Sequence, residues 1–91
     1  MPVITARQNL SAMWLILFSA KSRSLTQAEK DDLTQLSGTL RHGIPDHSAY
    51  NDAVSRFCDL LAVSGLFEDS KNADVADLLD KIDGLKLMLV G

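Results

Sequence analysis

The chain of 91 residues has a single cysteine, Cys58, two prolines, and aromatic side chains at only 5% of positions. A lone cysteine excludes an intrachain disulfide framework and fits a reducing compartment. With so few rings, aliphatic side chains must fill the core. No apolar run approaches the ~20 residues needed to cross a bilayer; the longest lies around Leu10–Phe18. Export is not expected either. Cleavage after Ala20, with Arg7 as the basic region, would put the bulky Phe18 where a small residue is required. CxxC and HxxxH pairs are missing, as are a glycine-rich phosphate loop and an EF-hand loop. The expectation is a cytoplasmic protein without a cofactor, metal or membrane association.

What remains is ordinary globular material, 46% hydrophobic and 23% charged, suited to one domain over residues 1–91. Such a chain buries roughly 60–70% of its unfolded surface, enough for one core. The net charge of −3 is unevenly spread. Residues 1–45 carry five basic and three acidic groups; residues 46–91 carry four basic and nine acidic ones. An acidic second half argues against direct nucleic-acid binding and suits a basic partner.

The spacing predicts four helices, over about 5–21, 26–40, 48–64 and 72–89. Thr5-Ala6-Arg7-Gln8 and Thr26-Gln27-Ala28-Glu29 both have the form of a capping box. At 100° per residue, Ala6, Leu10, Met13, Trp14, Leu17 and Phe18 fall on one face of the first helix. Leu15 and Ile16 lie toward its back, so this helix is apolar nearly all round. The second helix shows Leu33, Leu36 and Leu40, with Gly38 inside it costing about 1 kcal/mol relative to alanine. Gly43 and Pro45 mark the longest break, after which Asp46 or Ser48 is positioned to cap the third helix. That helix presents Tyr50, Ala53, Val54, Phe57, Leu60 and Leu61 on one side, and Ser64-Gly65-Leu66 reads as a glycine C-cap. The fourth, starting at Ser70 or Asn72, aligns Val75, Leu78, Leu79, Ile82, Leu85 and Leu89, continuing through Gly84. The fold class is all-α, a small four-helix, bundle-like domain with a very apolar first helix.

Few residues suggest chemistry. His42, His47 and Cys58, near Asp46 and Asp52, lack metal-ligand spacing. A Cys58–His47 nucleophile pair lacks an orienting group, and Cys58 beside Phe57 reads as a small packed hydrophobe. Asp69-Ser70 resembles the aspartate-serine of acyl carrier proteins, which are also small, acidic and four-helical. Lys71 departs from the apolar residue that follows the serine there, and no second pair of helices follows Ser70. A helix-turn-helix reading fails on the long Gly/Pro break and on the missing basic recognition helix.

Two surfaces stand out instead. Asp74, Asp77, Asp80 and Asp83 recur along the fourth helix, interrupted only by Lys81, and form either a solubilising face or a docking surface for a basic partner. Leu15 and Ile16, with Trp14 close by, are either covered by the C-terminal Leu87-Met88-Leu89-Val90 or form an interface. These observations predict a non-enzymatic interaction module, an adaptor, regulator or inhibitor. It would pair with itself through Leu15 and Ile16 and meet a basic protein through Asp74, Asp77 and Asp80. The rival expectation is an acidic decoy inhibitor of a nucleic-acid-handling complex, of the phage anti-defence or anti-CRISPR type. A carrier-like or metal-binding domain comes third.

Overall fold

The computed structural model describes residues 1–68 and 74–90. They form α1 (Val3–Ser19), α2 (Gln27–Leu40), α3 (Ser48–Ala62), a 3₁₀ turn (Leu66–Glu68) and α4 (Val75–Met88). The all-α, four-helix class expected from periodicity is the observed one. α1 packs on both α2 and α4, and α3 packs on α4. Two contacts fix the directions: the Met1 amino group donates to the Gly43 carbonyl at 2.8 Å, and His47 Nε2 donates to the Met88 carbonyl at 3.3 Å. The start of α1, the end of α2, the start of α3 and the end of α4 therefore share one end of an up-down-up-down bundle. It measures 37 × 21 × 19 Å.

The core follows the sequence stripes closely. Ala6, Leu10, Met13 and Leu17 of α1 are fully buried, as are Leu33 and Leu40 of α2. Tyr50, Val54, Phe57, Cys58 and Leu61 face inward from α3, and all six apolar positions expected on α4 are buried. One expected core residue is misplaced: Phe18 is 51% exposed. It sits at the edge of the stripe near the end of α1, where it stacks on half-buried Trp14 with ring centroids 5.1 Å apart.

The helix starts show which local signals prevail. The Thr26 box forms in full: Thr26 Oγ1 accepts from the Glu29 amide, and the Glu29 carboxylate accepts from the Thr26 amide. The Thr5 box does not form. α1 begins two residues earlier, at Val3, because Pro2 takes the extended N-cap conformation and its carbonyl accepts from the Ala6 amide. Thr5 thus lies inside the first turn rather than at the N-cap, and no side chain caps the start of α1. Neither Asp46 nor Ser48 caps α3. His47 holds the N-cap position without a side-chain bond, and Asp46 has a φ of 65°, which turns the chain before it. The end of α3 falls at Ala62, with Val63 as C-cap and Gly65 at a φ of 87° turning Leu66 back into the core. Asp74 caps α4 by accepting from the Asp77 amide at 3.0 Å. The expected start at Ser70 or Asn72 lies outside the described residues. α4 runs unbroken through Gly84.

The 41–47 break is held by one side chain. Asn51 Oδ1 accepts from the Ile44 amide at 2.8 Å, while Asn51 Nδ2 donates to the Ile44 carbonyl at 2.9 Å. Gly43, at a φ of 69°, makes this approach possible: a Cβ there would come within 2.5 Å of Asn51 Oδ1. Gly43→Ala combines an unfavourable backbone with a clash against a fixed amide, and is expected to lower unfolding free energy by more than ~1 kcal/mol in urea titration.

Acid stability depends on the start of α2. The Arg23 guanidinium bonds both carboxylate oxygens of Glu29, at 2.7 and 2.8 Å, and with the Thr26 amide holds the Glu29 carboxyl down to about 2. A carboxyl depressed on folding stabilises the native state above its unfolded pKa, and that contribution fades as pH falls toward the folded value. Glu29→Gln should therefore lower the melting temperature at pH 7, with the gap to wild type closing between about pH 4.5 and 2.

Candidate interaction surfaces

α1 carries one charged residue, Arg7, in its seventeen positions. Helix geometry sends Ile4, Ser11 and Leu15 to the side away from the buried stripe, with Phe18 at the edge between the two. Ile4 is 67% exposed and Leu15 65%. The expected site residues here behave differently from one another. Leu15 points outward, Ile16 is half-buried against the core, and Trp14 is half-buried beneath Phe18. Lys21 Nζ lies 5.6 Å from the Phe18 ring centroid, so a cation closes this aromatic edge. The residues Leu87–Val90 do not cover Leu15. The antiparallel course of α4 carries them to the opposite end of the bundle, where Leu87 and Val90 are exposed and Leu89 is in the core. Ile4 and Phe18 were absent from the sequence-predicted surface. Their spacing from Leu15, eleven and three residues, is the signal that places them on it.

The acidic residues of α4 also divide. The Asp74 side chain is engaged as the N-cap, and Asp77 accepts from Lys81 Nζ at 3.1 Å, an i,i+4 pair with both side chains nearly half exposed. Such pairs contribute only a few tenths of a kcal/mol. Asp80 and Asp83 stand exposed without an ion pair among the described residues. The structure thus brings the expected acidic residues onto one helix but leaves Asp80 and Asp83 as its outward charges.

Among the described residues, no three His, Cys, Asp or Glu side chains gather in a way that could hold a metal ion. His47 is oriented by Met88 and lies against Tyr50, with ring centroids 5.6 Å apart. The Tyr50 hydroxyl is buried without a partner among the described residues, and burial pushes its pKa up to about 12. Cys58 is buried, its Sγ 3.7 Å from the Ser37 carbonyl, and desolvation raises the thiol above its ordinary range. A raised pKa and an inward position oppose nucleophilic use. The Asp69-Ser70 pair lies outside the described residues. Also among the described residues, no helix is long and apolar enough to cross a membrane.

Cys58 should react with a thiol reagent such as Ellman's reagent orders of magnitude more slowly in native protein than in denaturant. Fast native labelling near neutral pH would show that the α2–α3 contact opens readily. No protein-family model matches this chain, and neither a curated protein nor a solved structure matches it.

Proposed function

We propose that this chain is a non-enzymatic protein–protein interaction module, an adaptor, regulator or inhibitor, that self-associates through the outer face of α1. The observation that carries the reading is the exposed row Ile4, Leu15 and Phe18 on a helix whose one charge is Arg7. Exposed apolar side chains are common singly, but a helix face that carries them with a single charge, Arg7 beside Ile4, has the low charge of an interface centre. Two-fold pairing is the commonest way to cover such a face.

Magnitudes set the strength of this pairing. Full burial of a large apolar side chain gains about 1.5–3 kcal/mol, and these three are already partly covered. Three from each copy supply on the order of 6 kcal/mol. That is comparable with the 4–15 kcal/mol lost when two bodies are joined. The pairing is therefore weak and concentration-dependent. On α4, Asp80 and Asp83 are left for a protein with a basic surface, whose approach they would accelerate at low salt.

Light scattering on a sizing column at two concentrations tests the reading. Leu15 is the position to change, since Ile16 is half-buried and its substitution confounds folding with association. Wild type is expected to gain mass toward a dimer with concentration, while Leu15→Glu stays a folded monomer by circular dichroism. A wild-type chain monomeric into the millimolar range would overturn self-association through α1.

A further inference from the structure

Arg56 of α3 and Lys81 of α4 both line a groove of about 540 Å³ whose other lining residues are apolar side chains and a glycine. The two helices run antiparallel and each cation sits near its helix's midpoint, so the pair stands level. Its lining includes two small residues, Ala53 on α3 and Gly84 on α4, together with the buried Phe57 and Leu85. An atom added at Gly84 would meet nothing within 4 Å. Gly84 therefore has no packing role inside the bundle. It lowers α4's helix propensity while keeping the trough open.

We infer that this α3–α4 groove seats a partner helix bearing an apolar stripe and a carboxylate level with Arg56 and Lys81. An open trough between two helices about 20 Å long is the seat that ridge-into-groove packing gives a third helix. Residues at i, i+3 or i+4, and i+7 fill its apolar length. The charge follows from the rim. Arg56 makes no ion pair among the described residues, and Lys81 is held only by the half-exposed Asp77, so both can turn to an incoming acid. The α1 face of a second copy is a poorer match, because it carries no carboxylate to meet Arg56 and Lys81 and its one charge is the cation Arg7. This site is distinct from the α1 face and stands or falls without it.

The test is selection of binders from a displayed library of single helices with randomised faces, using the intact chain as target. Enriched helices are expected to combine an apolar i, i+3/i+4, i+7 stripe with aspartate or glutamate at one central position. Binding of such a helix, read by fluorescence polarisation, should be lost in Gly84→Leu, which fills the trough. It should weaken about tenfold in Arg56→Glu. Arg56→Glu is a surface change that leaves the fold intact, and it should regain affinity for the same helix with lysine in place of the acid. Gly84→Ala should raise the melting temperature, confirming that position 84 tolerates a side chain. No enrichment, enrichment of basic stripes, or binding indifferent to both Gly84→Leu and Arg56→Glu would overturn the inference.

Discussion

Burial of one stripe of α1 is the interaction on which this fold depends. Ala6, Leu10, Met13 and Leu17 have no solvent contact, and α2 and α4 both pack on the helix that carries them. Truncating one such leucine to alanine commonly removes 2–5 kcal/mol, a large share of the 5–15 kcal/mol that holds a small domain together. No disulfide backs this core, and the ion pairs Arg23–Glu29, Arg41–Asp59 and Lys81–Asp77 are each at least partly exposed. The apolar stripe must therefore supply what crosslinks supply in other small domains.

Because α1 is secured from one side, its other side is free to differ from an ordinary surface. A helix of this length usually carries charges on its solvent face; this one carries Arg7 alone. Asp77, Asp80 and Asp83 lie along α4, and the cations Arg56 and Lys81 line the groove between α3 and α4. The bundle thus presents three chemically unlike surfaces around one core: apolar with a single charge, acidic, and apolar with two cations in its lining. Such separation suits a module whose contacts are made by different helices.

Much of this was legible in the chain and some was not, for reasons that differ by residue. Stripes with a strong 3.6-residue period, such as Val75 to Leu89, were placed correctly because burial of an amphipathic face dominates helix packing. The Thr26 box was legible because nothing upstream competes with it. The Thr5 box failed because Pro2, three residues earlier, was already a sufficient start. Phe18 has the angle of a core residue, but the bundle ends there and leaves it half outside. Leu15 and Ile16 look equivalent in sequence and are not in space, since a step of 100° carries Ile16 to the flank of the helix. The α3–α4 groove was invisible because it belongs to two helices at once. In the sequence Gly84 is only a position the fourth helix runs through, and Arg56 is one of four basic residues in the second half.

The two ends of the bundle are closed by different forces. At one end, hydrogen bonds cross between elements: Met1 to Gly43, His47 to Met88, and Asn51 twice to Ile44. At the other, among the described residues, the closure is made mainly by the apolar Leu25, Leu66 and Val75. Hydrophobic closure weakens on cooling, while hydrogen bonds lose nothing of the kind. The end where α4 begins thus leans more on burial alone, the term that weakens on cooling, than the end pinned by Met1, His47 and Asn51.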